Sequence, residues 1–344
     1  MKTKIFVLAF MLLNLVSAYC SGAMDMELVN AQEINLDQID TIEVRYRSER
    51  ISLFKSDTDS FILKEYMNKD DSKYYAKITS GGNKLVVEAG QRPFSFGNRF
   101  KRRIEVYVPA SDRISISIGT NSGKIEANSE YTASSMTLET SSGNISVNSI
   151  NGDVFAETSS GEINLKKISG TLIAKSSSGN IHSGNVGGDA DIHTQSGEVV
   201  FDKIRGQALI ETSSGNILVN SIDGDVSAET SSGRISLGLV NGKTDLKASS
   251  GRINCVVSEN AGDISITTSS GSVILDIARN FIFNFSARTR SGSLHTPFSD
   301  KLYRSLSNED FVQGVINGDN ISETQKIRNI SINTRSGSIR LNWK

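Results

Sequence analysis

The residues of this chain whose types could do chemistry are few: three histidines, two cysteines and one short basic run. His182, His193 and His295 would ligate a metal or move a proton only if folding gathered them. In a strand-rich chain, His182 and His193 fall at outward positions on different faces, so no shared metal is expected. Cys20 and Cys255 lack the Cys-x-x-Cys spacing of redox and zinc sites. Cys255 stands where neighbouring repeats carry an apolar residue and reads as a buried thiol acting as a small hydrophobe. No feature supports a disulfide between the two. No Ser-His-Asp ordering and no phosphate-cradling glycine loop occurs. Gly-Asp pairs at 152–153, 188–189, 224–225 and 262–263 do not build the Gly-Gly-x-Gly-x-Asp run of a calcium β-roll. The expectation is therefore no catalytic residue, no cofactor and no metal. The basic run is Arg99, Lys101, Arg102 and Arg103, flanked by Phe94, Phe96 and Phe100. It could meet an acidic glycan or a lipid headgroup, but it reads first as a loop or strand end kept in solvent. With 37 Lys plus Arg against 38 Asp plus Glu the net charge is −1, which disfavours a general nucleic-acid or anionic-membrane binder.

The elements that must position these residues are repeats. A Ser-Gly pair recurs with Gly at 123, 143, 161, 179, 197, 215, 233, 251, 271, 292 and 337, and the six steps from Gly143 to Gly251 are 18 residues each. A second glycine follows nine residues after each of Gly143 to Gly233, at 152, 170, 188, 206, 224 and 242. The second and fourth residues after a glycine are mostly apolar, as in Ile145 and Val147, Ile217 and Val219, Val226 and Ala228. Alternation with period two places both on one face of a short strand. A further apolar position recurs as Ile150, Ile168, Val186, Ile204, Ile222 and Val240. Two strands per 18 residues, with turns at the glycines, make one flattened coil. Turn glycines often need positive φ. One coil cannot offset the entropy of ordering it, so the array must stabilise itself by stacking. The expected fold is all-β, a single-stranded parallel β-solenoid of 18-residue coils in two nine-residue halves, with right-handed crossovers. A left-handed hexapeptide helix would mark every sixth residue instead of every ninth.

The chain then divides into a signal peptide at 1–18, an N-terminal β region at 19–118 that begins and caps the solenoid, regular coils at 119–294, a polar insertion at 295–328 and a final coil with cap at 329–344. The signal reading rests on Lys2 and Lys4, the apolar run Ile5–Val16 and the small residues at 16–18. Cys20 raises a lipoprotein alternative, which the bulky Tyr19 before it disfavours. Ser80-Gly81-Gly82-Asn83 reads as a hairpin turn, and Pro109 closes a strand. A short helix is expected near 300–313, and Trp343 would plug the final coil. Outward positions stack Val200 on Leu218 and Phe155 on Ile173, as partner patches or as ordinary cross-strand pairs. The outward row Glu157, Lys175, His193, Glu211, Glu229, Lys247 reads as a solvated face.

The half Thr-Ser-Ser-Gly-x-Ile-x-Val, alternating with Ile-x-Gly-Asp-Val-x-Ala and preceded by Ile104-Glu105-Val106-Tyr107-Val108-Pro109, resembles the bacterial putative-adhesin family of β-strand-repeat domains of unknown function. The resemblance spans roughly residues 40–344. It implies an envelope or secreted location and carries over no catalytic residue. The expected function is a binding or structural module that meets a glycan or an envelope protein without catalysis. The alternatives are a pure envelope scaffold and a glycan-processing enzyme with its site in the insertion. Carboxylates beside a groove there would favour the enzyme.

Overall fold

The computed structural model describes residues 26–93, 100–298, 302–304, 311–316 and 327–344. The signal segment, Cys20 and Arg99 lie outside these residues. The chain forms two compact units, one up to Thr158 and one from Ser159 onward, so the division falls inside the repeats. Among the described residues no helix is long and apolar enough to cross a membrane.

The unit from Ser159 is a parallel β-solenoid. First-half strands such as Ile181–Val186, Val199–Ile204 and Ile217–Ile222 pair in register with their equivalents one coil on. Second-half strands such as Ala190–Thr194, Ala208–Thr212 and Val226–Thr230 form the other ladder. The alternation works as expected. Ile217, Val219, Ile210, Ile222 and their apolar equivalents are 0–3% exposed and fill the space between the ladders. Cys255 belongs to this core and is a free thiol, its titration pushed up to about 12 by burial and the nearby Asp276 charge.

The repeat glycines do a different job from the expected one. Among the described residues positive φ occurs only at Gly82 (61°) and Gly152 (150°). The others are glycine because coils touch. A Cβ on Gly215 would lie 1.8 Å from the carbonyl oxygen of Gly197, and one on Gly233 would lie 1.7 Å from that of Gly215. The threonine three residues earlier locks the same turn. The Gly233 N–H donates to Thr230 Oγ1 at 3.0 Å, and that hydroxyl donates to the Gly215 carbonyl one coil back at 3.3 Å. At either turn an aspartate or asparagine directly after the glycine bridges coils. Asp225 Oδ1 accepts the Lys243 N–H at 2.7 Å, and Asn216 Oδ1 accepts the Arg234 N–H at 3.0 Å.

At the chain's end, sequence order and stacking order part. Phe283–Thr289 and Leu294–His295 make the coil that follows Val273–Ile277 in sequence, yet do not stack on the coil before them. The strands Arg328–Thr334 and Ile339–Trp343 lie between. They pair on one side with Ile264–Thr268 and Val273–Ile277, and on the other with Phe283–Thr289 and Leu294–His295. The glycines follow this order, since Gly337 rests on Gly271 and Gly292 rests on Gly337. Residues 329–344 are thus the last coil of the chain but the penultimate coil of the stack. Trp343 is correspondingly half-buried and packs against Phe298 at 5.3 Å instead of plugging an end. The expected helix near 300–313 is corrected too. Leu302–Arg304 and Phe311–Ile316 are antiparallel strands, and the second pairs with Phe283–Thr289. The open edge of that strand would otherwise leave its backbone donors and acceptors unpaired.

The unit up to Thr158 begins with the same device. Thr41–Arg45 and Arg50–Lys55 sit between the coil of Lys84–Glu88 and Arg102–Val108 and the coil made by Ser111–Thr120 and the first residues, 125–127, of the strand Ile125–Thr140. Antiparallel strands cover the outer edges: Ser60–Met67 on Arg102–Val108, Glu27–Asn35 on Ser60–Met67, and Lys77–Gly81 on Lys84–Glu88. The last of these closes through Gly82 as the expected hairpin.

Gly215→Ala should lower unfolding free energy by at least about 2 kcal/mol in urea titration, because a backbone carbonyl cannot yield to a methyl. Gly81→Ala, with nothing within 4 Å of its Cβ, should stay within about 0.5 kcal/mol of wild type.

Candidate functional site

The basic run expected at one surface is split by strand alternation. Arg102 and Arg103 are neighbours on Arg102–Val108, so their side chains leave opposite faces. Arg102 is fully buried and pairs with the equally buried Glu49 at 2.8 Å. It also donates to the Tyr74 carbonyl at 2.7 Å, and its guanidinium lies 5.2 Å from the centre of the Tyr46 ring. Arg102 therefore belongs to the interior and not to a ligand-facing cluster, which corrects the sequence expectation. Glu49 stands where later coils have the turn glycine, and its other oxygen accepts the N–H groups of Arg47 and Ser48 at 2.9 and 2.7 Å. Burial pushes the Glu49 carboxyl up. The Arg102 guanidinium, the Ser48 N–H and Arg92 outweigh that and hold it below the usual carboxylate range. Nearby, the fully buried Glu65 accepts from Tyr46 Oη at 3.0 Å, Asn30 Nδ2 at 2.7 Å and the Ala76 N–H at 2.8 Å. Burial and that carboxylate push the Tyr46 hydroxyl well up. This network was not legible in the sequence, because a lone Glu at a turn looks solvated.

Arg103 faces outward on the other side of the strand. Its guanidinium lies 4.2 Å from the Tyr66 ring centre, and Lys64 lies 4.5 Å from that of Tyr107. Phe54 stacks on Tyr107 at 5.0 Å. Both tyrosine hydroxyls donate to Glu105 Oε2 at 3.0 Å, and burial and this bond push the Tyr107 hydroxyl up to about 12. Cations already cover these rings, so the face satisfies itself.

The outward apolar residues are also modest. Val200 and Leu218 are register partners, as expected, but His182 and Ser236 flank them. Leu218 is 38% exposed and Val200 is half-buried, which makes a cross-strand pair and no broader patch. Phe155 is half-buried beside Thr137, and Ile173 is half-buried beside Asp191. His193 lies between Asp191 at 2.7 Å and Glu211 at 3.1 Å, whereas His182 meets Glu162 at 3.4 Å on the other ladder. Lys247, aligned with Glu229, pairs instead with Asp245 on its own strand at 3.1 Å. Among the described residues no group of three or more His, Cys, Asp or Glu is placed to hold a metal.

The described part of the insertion does build a groove of about 400 Å³, on the outer face where Phe311–Ile316, Phe283–Thr289 and Arg328–Thr334 run side by side. Its lining side chains are Asn284, Ser286, Gln313, Val315, Asn329 and Ser331. Phe285, Gly314 and Ile330 complete it without adding a titratable group. Asn284 Nδ2 donates to Asn329 Oδ1 at 3.1 Å, and the Asn329 N–H donates to Asp263 Oδ1 at 2.8 Å. These contacts fix the amide wall. Sequence reading pointed to this segment but not to these residues, because register alone assembles them.

A non-closed parallel β-solenoid with antiparallel end strands defines the class of this protein. The Toastrack DUF4097 family model matches residues 39–219 and 149–342, and the chain belongs to that family. This agrees with the resemblance carried by the Thr-Ser-Ser-Gly halves. Solved structures with similarity include a putative adhesin from Bacteroides fragilis, at 14% identity over 72% of this chain and 96% of that one, with a TM-score of 0.37. Another is a putative adhesin from Parabacteroides merdae, at 13% identity over 72% and 95%, TM-score 0.35. A putative lipid binding protein from Parabacteroides distasonis matches at 13% identity over 90% and 96%, TM-score 0.30. No curated protein sequence matches the chain.

Replacing Arg102 with Met should destabilise the protein by about 3–5 kcal/mol, because Glu49 would be left buried and unpaired. Glu49 has a lowered folded titration point, so its contribution is full above the unfolded value of about 4.3 and is lost as pH falls through the folded one. Urea midpoints measured from about pH 6 to pH 2 should fall less steeply in Glu49→Gln than in wild type.

Proposed function

We propose that this protein is an exported, adhesin-like binding module of the bacterial envelope that works without catalysis. The observation that carries the reading is the groove beside the insertion, which has the size of a ligand site and whose lining, among the described residues, carries no titratable group. Hydrolysis of a glycosidic bond calls for two carboxyl groups flanking the scissile bond. Among the described residues the groove lining supplies none, and the neighbouring Asp263 carboxylate is taken up by the Asn329 N–H. The basic and apolar start of the chain supports export to the periplasm, the cell surface or the medium. The partner classes are a glycan or an envelope protein. The mixed charges along the outward row from His193 to Lys247 favour a second reading, a scaffold whose faces stay solvated.

A glycan array probed with the full chain, followed by recovery of any bound glycan, separates these readings. Saturable binding with the glycan recovered intact is the expected result. New reducing ends in the recovered material would make the protein an enzyme. No binding to any glycan would leave the scaffold reading ahead.

A further inference from the structure

The outward side chains of the second-half ladder change character along the stack. Four successive coils carry Asp191, Leu209, Ser227 and Asp245 in one row, with His193, Glu211, Glu229 and Lys247 in the next. These side chains are mostly large or charged. From Ile264–Thr268 onward the first row becomes Ser265, Ser331 and Ser286, in register on three adjacent strands, and ends at Gln313. The second row becomes Thr267, Asn333 and Arg288. Beside the serines, Asp263, Asn329 and Asn284 form the hydrogen-bonded chain described above. The groove is this change made visible. Short serines form its floor, amides form its walls, and Val315, 47% exposed, forms one apolar flank.

We propose that this groove binds a neutral, extended oligosaccharide. The inference deepens the adhesin-like reading and rests on it. Amide and hydroxyl side chains each offer donors and acceptors, which suits a ligand made of hydroxyl groups. Among the described residues the lining carries no charge to pair with a uronic acid, a phosphate or an amine, and the charges beside it are engaged, Asp263 by the Asn329 N–H and Arg288 by the Phe311 ring. Ser331 and Ser286 stand on adjacent parallel strands about 4.8 Å apart, so their hydroxyls are offered side by side on the groove floor. Serine loses little side-chain entropy on binding and is already held on paired strands. Val315 gives the carbon-bound hydrogens of a sugar an apolar surface.

The test is titration of the full chain with array-selected neutral oligosaccharides and with uronic-acid oligosaccharides. Wild type is compared with Ser331→Arg, which fills and charges the floor, and with Leu218→Asp on the other ladder. Neutral sugars should bind, Ser331→Arg should weaken binding at least about tenfold, and Leu218→Asp should leave it unchanged. Thermal melts check that each variant folds. If Ser331→Arg melts early, Val315→Asp on the exposed strand takes its place with the same expectation. Tight binding that survives both variants would overturn this site while leaving the adhesin-like reading intact. Preference for uronic acids would overturn the ligand class. Failure of every sugar to bind would overturn the proposal together with the glycan form of the broader reading.

Discussion

Each coil is placed by the contact of one glycine with the carbonyl oxygen of the glycine one coil back. No side chain fits between them, because even a methyl would sit at less than van der Waals distance from that oxygen. The contact fixes the stacking distance at one face of the turn, and the threonine hydroxyl bridges the same two coils. Once the turns are in register, the strands follow, and the apolar ladders of Ile, Val, Leu and Ala meet in the core. Stability is then a property of neighbours in a stack.

Stacking creates two open edges, and both units answer this by the same means. A pair of strands near the chain end is placed second, a coil from further inside the sequence is placed outside it, and antiparallel strands cover the outer one. The antiparallel strands are what stop further parallel addition. They interrupt the equivalence between one coil and the next on which the repeat depends. In the unit from Ser159 they also produce the groove, since Phe311–Ile316 brings Gln313 and Val315 beside a row of serines.

Buried charge appears where the repeat is broken. Glu49 takes the place of a turn glycine and meets the turn N–H groups with its carboxylate. That placement in turn requires Arg102 inside the unit. The outward Arg103, one residue on, lies against Tyr66 with its charge met by Glu105 at 3.1 Å. A basic run in the sequence thus became one interior ion pair and one surface contact.

The sequence alone determined the class of fold, the coil length, the two strands per coil and the core positions from Ile145 to Val240. These follow from nine-residue spacing and period-two alternation, which are local and repeat many times. It also marked the hairpin at Gly82 and the buried role of Cys255. Tertiary structure alone decided three matters. It decided the stacking order at the ends, because equivalent coils compete for the same edge and spacing cannot say which one wins. It decided that 302–304 and 311–316 are strands, because an open edge nearby needed pairing. It decided the membership of the groove and of the Glu49–Arg102 pair, because residues from 27 to 53 apart in the chain meet there only through register.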